Sequence, residues 1–199
     1  MIKTSRNDIL WNYGANLLNI FVSILVLPLI LKMLSPNELG LWYVFISISS
    51  LVLLIDFGFS TTLQRHITYA VSGASEILEM GVPTQTLDHP NYPLVKAIVI
   101  ASKKIYKSLS LIAGFFLITA GFIYVVIILN IRELDLVIAW AIYALGSYLQ
   151  LMTNFWIPIL KGSGAIKAAN KVFIFSKSSY LIFAAIGLAL RGGLILLTS

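Results

Sequence analysis

The chain has 199 residues, 59% of them hydrophobic and only 11% charged, with a mean hydropathy of +0.93. Those values lie outside the range of water-soluble domains and exclude a chain folded around one small core. The net charge of +6 does not point to nucleic acid, because in so apolar a chain basic residues set topology and meet anionic lipid headgroups.

In chain order, apolar runs at 9–34, 40–63, 109–131, 136–160 and 172–190 are each long enough to cross about 30 Å of hydrocarbon as a helix. "GGLILLTS" at 192–199 reads as the opening of a sixth. The expected fold is an all-α, polytopic transmembrane helix bundle, with five full spans and the start of a sixth in a single bundle over residues 1–199. The first run is too long for a cleaved signal peptide, and no small-x-small site follows it.

The one long connection, 66–108, contains the Gly/Pro-rich "GVPTQTLDHPNYP" and then "PLVKAIVIASKKIYKS". In the latter, Lys96, Lys103 and Lys107 share one helical stripe, with Val95, Ile98, Val99, Ile105 and Tyr106 largely opposite. This pattern predicts an amphipathic helix along the inner leaflet, feeding the third span. Eleven of the fourteen Lys and Arg fall on the N-terminal side of the expected spans, so the N terminus and the 66–108 loop are expected in the cytoplasm.

Two spans carry polar faces. At 100° per residue, Ser5, Asp8, Asn12, Asn16, Asn19 and Ser23 of the first fall within about 40° of one direction. On the fourth, Tyr143, Ser147, Gln150, Asn154 and Lys161 align similarly, with Pro158 beside them. Such rows serve either as hydrogen-bonding glue between helices or as the lining of a hydrated cavity.

"LVLLIDFGFSTTLQRH", residues 51–66, places Asp56 inside an apolar run. Exposed to lipid it would cost several kcal/mol, so it faces inward and is partnered or protonated. It is either a buried interhelical hub or an ion or proton site coupled to conformational change. Arg65 is not its natural partner, because nine residues along a regular helix lead to the opposite face unless Gly58 bends the chain. Arg65 itself is either a snorkelling topology residue or an anion contact at a cavity mouth. Lys177, after "VFIF", and Lys161 carry the same ambiguity.

Other chemistry is thinly represented. "GSGAIK" lacks the third glycine and the preceding strand of a dinucleotide fingerprint. His66 and His89 lack metal-ligand spacing, and there is no cysteine. Glu133 and Asp135 fit a solvated turn better than a catalytic pair. No catalytic residue, metal or cofactor is expected, and the chain does not read as an enzyme.

The segments "NYGANLLNIFVSILVLPLILKMLSPNELGLWYVFISISSLVLLIDFGFSTTLQR" and "QLMTNFWIPILKGSGAIKAANK", in that order, resemble the N-terminal bundle of bacterial O-antigen flippases. These are the Wzx-like polysaccharide transporters of the multidrug/oligosaccharidyl-lipid/polysaccharide exporter superfamily. The resemblance covers essentially the whole chain. Its most specific pieces are the first-helix Asn residues with Pro28, "GLW" at 40–42, "DFGF" through Arg65, and "KGSGAIKAANK". It implies an inner-membrane transporter that flips an undecaprenyl-diphosphate-linked oligosaccharide by alternating access between two bundles. On that basis Arg65, Lys177 and Lys161 are expected to hold diphosphate or acidic sugar. Asn12, Asn16, Asn19, Gln150 and Asn154 would meet sugar hydroxyls, and Asp56 would couple to a cation or proton gradient. Members of the family are about twice as long, so a second bundle or a second copy is the expected partner, alongside membrane lipids. A drug/cation antiporter of the same superfamily and a non-transporting membrane scaffold are the alternatives.

Overall fold

A computed structural model of the chain describes residues 5–54, 56, 58–78, 81, 83, 86–128 and 134–189. It contains α1 (Arg6–Met33), α2 (Pro36–Leu54), α3 (Phe59–Val71), α4 (Tyr92–Phe116), α5 (Leu134–Thr153), α6 (Trp156–Gly162) and α7 (Ile166–Ala189). Past Phe116, α4 runs on through π-helical turns at Leu117–Gly121 and Tyr124–Ile128. Among the described residues there is no strand, only an isolated bridge between Ala74 and Thr86. The all-α expectation therefore holds. The opening of a sixth span and the turn at 129–133, including Glu133, lie outside the described residues.

Among the described residues, three helical rods are long and apolar enough to cross a membrane: Arg6–Met33, Tyr92–Ile127 and Leu134–Gly162. Five such spans were expected: the runs 9–34, 109–131 and 136–160 fall on these three rods, and the runs 40–63 and 172–190 are not among them. The run 40–63 is divided: α2 stops at Leu54, Gly58 takes the left-handed backbone (φ 76°), and α3 starts at Phe59. Only glycine adopts that conformation without a steric cost. The run 136–160 is interrupted at residues 154–155. Pro158, four residues after Asn154, has no N–H to donate there, and its ring crowds that carbonyl.

The amphipathic segment and the third span are joined without a loop. At 1.5 Å per residue, the 36 residues of Tyr92–Ile127 make a rod of about 54 Å. That is longer than the roughly 30 Å of a bilayer's hydrocarbon, and no turn separates the amphipathic part from the apolar part. The expected facing is met in part: Lys96, Lys103 and Lys107 are exposed and Ile98 and Tyr106 buried, but Val95 and Val99 are half-buried and Ile105 is exposed.

Helix starts follow their side chains. The Ser35 amide and hydroxyl both donate to Glu38 Oε2, at 2.9 and 2.8 Å, and Pro36 occupies the first position of α2. This is a capping box with its proline where no N–H is needed. Asn91 caps α4 by accepting the Leu94 amide at 3.1 Å, while its own amide group donates to the Ala74 carbonyl at 3.0 Å. The 66–108 connection is thereby pinned to the root of α4.

Packing divides the bundle into two tiers. The first gathers Val22, Val26 and Ile30 of α1, Leu41 and Phe45 of α2, Leu117 and Val125 beyond α4, Ala139, Trp140 and Ala144 of α5, and Ala184 of α7. The second gathers Leu63, Ile67 and Ala70 of α3, Ile98 and Tyr106 of α4, and Phe155 and Ile159. α4 is the element common to both. It runs antiparallel to α5, with Gly114 against Tyr148 and Gly121 against Trp140. α1 and α7 run parallel, since Lys171 near the start of α7 reaches Trp11 near the start of α1.

Small residues set the closest approaches. A Cβ on Gly162 would stand 2.5 Å from the Gln64 carbonyl oxygen and 2.9 Å from Ile67 Cβ, whereas one on Gly146 would meet nothing within 4 Å. Gly162→Ala is therefore expected to lower stability by about 1–3 kcal/mol through overpacking of α6 against α3, and Gly146→Ala to be neutral or slightly stabilising. Thermal unfolding of the detergent-solubilised chain measures both.

Candidate functional site

The break between α2 and α3 leaves the first amides of α3 without intrahelical acceptors. Asp56 supplies them: its carbonyl accepts the Phe59 amide at 2.7 Å, and Oδ2 accepts the Ser60 amide at 3.2 Å. The other carboxylate oxygen, Oδ1, accepts the hydroxyl of Tyr106 from α4. Asp56 is 9% exposed and Tyr106 1%, and the Tyr106 ring lies tilted on Phe155, with centroids 6.0 Å apart. One carboxylate thus ties the start of α3 to the middle of α4. Its partners are Ser60, through the backbone, and Tyr106; Ser49 and the first-helix Asn residues are used elsewhere or lie exposed.

Beside this junction is a cavity of about 230 Å³, lined among others by Phe59, Thr62, His66, Ser102 and Tyr106. Burial and the neighbouring Arg65 guanidinium push the His66 imidazole below its ordinary value.

The two polar rows have different fates. On α1, Asn12, Asn16, Asn19 and Ser23 are exposed, while Ala15, Val22, Val26 and Ile30 are buried. The amide row flanks the packed stripe without entering it. On α5, Tyr143 is committed to helix contact: its hydroxyl donates to the Phe45 carbonyl at 2.9 Å and lies 2.8 Å from the Ser49 hydroxyl, and its ring stacks on Phe45 at 4.4 Å. Gln150 is exposed and Asn154 half-buried at the α5–α6 interruption. Lys161 follows on α6, so the row expected along one continuous helix is split between two.

The cations also separate. Arg65 on α3 and Lys161 on α6 are both exposed, and they are neighbours of Gln64 and Gly162, where the two helices make their closest approach. The Thr68 hydroxyl donates to the Gly162 carbonyl at 3.1 Å and fixes that level. Lys177 stands away from them, eleven residues into α7 and so about 16 Å along it. Its ammonium lies 5.9 Å from both the Phe173 and the Tyr180 ring centroids. Two of the three expected anion contacts thus adjoin the α3–α6 contact in sequence, and the third lies near two rings of its own helix. Tyr106 is the participant that the sequence did not single out as a partner. Its signal was a polar tip on the apolar stripe of the amphipathic helix.

No family model, curated protein or solved structure matches the chain. What the described residues define is an all-helical fold with three membrane-length apolar helices, a carboxylate-centred junction between α3 and α4, and an exposed amide row on α1.

Tyr106→Phe removes a single hydroxyl and is expected to cost about 1–3 kcal/mol, because it strips a donor from a buried carboxylate. Asp56→Ala should cost more, since it also uncaps α3; thermal unfolding in detergent ranks the two. His66 gives a pH signature. Its lowered value means that its contribution to stability is complete above about pH 6.5 and is lost as pH falls from there through the folded-state value. Wild type should therefore lose more stability than His66→Gln between pH 7.5 and 5, measured by the same unfolding assay.

Proposed function

We propose that the chain is the N-terminal bundle of a bacterial inner-membrane transporter that flips an undecaprenyl-diphosphate-linked oligosaccharide between leaflets. Its N terminus lies in the cytoplasm, and a second bundle or a second copy faces it. The observation that carries this reading is the α1 row of Asn12, Asn16 and Asn19, which is exposed on a membrane-length helix. Amides facing acyl chains are unsatisfied and costly, so this face requires either water or another protein surface. The wide apolar exterior, with residues such as Leu111, Phe115, Ile118 and Leu145 mostly exposed, supports placement in lipid.

On this reading Arg65 and Lys161, adjacent at the α3–α6 contact, hold the diphosphate. The α1 amides, with Gln150 and Asn154, meet sugar hydroxyls. Lys177, between two aromatic faces, contributes charge from deeper in the bundle. Coupling runs through Asp56, whose protonation would weaken its grip on the Ser60 amide and Tyr106 hydroxyl and so loosen α3 from α4.

The cations near the α3–α6 contact favour an anionic cargo over the drug or cation of a related antiporter, which calls for acidic lining residues. A non-transporting scaffold is separated by reconstitution, because only a transporter moves labelled lipid-linked sugar across vesicles.

Arg65→Gln with Lys161→Gln, placed at the chromosomal locus, is expected to cut surface-polysaccharide export at least tenfold; unchanged export removes the phosphate-holding role. A cysteine at Asn16 or Asn154 should react with membrane-impermeant thiol reagents, whereas one at Phe116 should not.

A further inference from the structure

We infer that the outer face of the α4–α5 pair is a binding site for an anionic glycerophospholipid, with an acyl chain in the groove between the helices and the headgroup phosphate held by Lys104 and Lys107. The inference needs α4 to cross a bilayer but does not depend on the transport reading.

The groove has a volume of about 610 Å³, and its walls include Leu111, Phe115 and Ile118 from α4 with Trp140, Leu145 and Tyr148 from α5. It exists because Gly114 and Gly121 let Tyr148 and Trp140 approach the α4 backbone, leaving a furrow between the longer side chains. Its outer wall is unpartnered: Leu111 is 53%, Phe115 64% and Ile118 69% exposed. An apolar furrow at this depth takes hydrocarbon.

Charge placement selects the headgroup. At 100° and 1.5 Å per residue, Lys104 and Lys107 fall within about 50° of the centre of the groove face, about 10 and 6 Å below Leu111. Both are exposed. Lys96 and Lys103, also exposed, are turned further away. A chain lying in the groove thus brings its phosphate to two ammonium groups at the basic end of the same helix, where anionic headgroups gather such residues. A zwitterionic headgroup carries its own cation there and gains less.

Trp140, in the groove wall, is a built-in reporter. The test uses the full chain carrying W11F, W42F and W156F, in vesicles doped at equal mole fraction with brominated phosphatidylglycerol or brominated phosphatidylcholine. Stronger quenching of Trp140 by the phosphatidylglycerol is expected. K104Q/K107Q should reduce that preference about fivefold per lysine removed, and K96Q/K103Q should leave it intact. Equal quenching by the two lipids overturns the proposal. So does an equal loss in both lysine pairs, which would mean diffuse surface charge, or displacement of the quencher by equimolar isoprenyl phosphate, which would assign the groove to an isoprenyl chain. If the tryptophan variant does not fold, lipids that copurify with wild type and with K104Q/K107Q give the same answer: phosphatidylglycerol enriched over the membrane average in the former only, or the site is not there.

Discussion

The arrangement depends on one carboxylate. A helix that starts inside an apolar run exposes amides that hydrocarbon cannot satisfy, and the chain starts α3 at Phe59 in such a run. Asp56 resolves this by accepting from the Phe59 and Ser60 amides, and Gly58 supplies the left-handed turn between them. Its remaining oxygen would itself be an orphan, and Tyr106 fills it. Each group answers a demand created by the one before. This chain of demands fixes the position of α3 against α4 more closely than apolar packing, which is indifferent to direction.

From that junction the two-tier build follows. α3 lies antiparallel to the first half of α4, joined at one end by Asp56 to Tyr106 and at the other by the Asn91 amide, which donates to the Ala70 carbonyl at 2.9 Å. α6 then packs against α3 in the same cluster, where Gly162 lets the backbones meet. The second half of α4 belongs to the other tier, with α5, α2, α1 and α7 around Phe45, Trp140 and Val125. α4 has no loop between its halves, so one rod joins the Tyr106 junction to the packing around Trp140. The π-helical turns beyond Phe116 are where such a rod absorbs local strain.

The helical character of the chain was legible because apolar runs and polar rows are local properties of sequence. So was the inward demand of Asp56, which follows from the cost of a carboxylate in hydrocarbon. The breaks were only half legible. Gly58 and Pro158 were visible as disturbances, yet periodicity across them still favoured unbroken helices, because the residues on either side are equally apolar. The continuity of α4 was obscured for the opposite reason: its amphipathic and apolar halves differ so much in composition that they read as separate elements. Tyr106 as the partner of Asp56 was out of reach, since the two are 50 residues apart and nothing local connects them.

Basic residues illustrate why charge alone does not locate a cavity. Lys171 lies 5.3 Å from the Trp11 ring centroid, and Lys177 sits between Phe173 and Tyr180. An aromatic face stabilises an ammonium, more so where water is scarce. A lysine flanked by rings three and four residues away on its own helix therefore tolerates partial burial without any ligand. Lys177 carries that support within α7, so its depth needs no cargo to explain it. Arg65 and Lys161 are different. Both are exposed, next in sequence to Gln64 and Gly162, where α6 meets α3. That exposure is what the proposed anion contact needs, and the ring-flanked Lys177 needs no such contact.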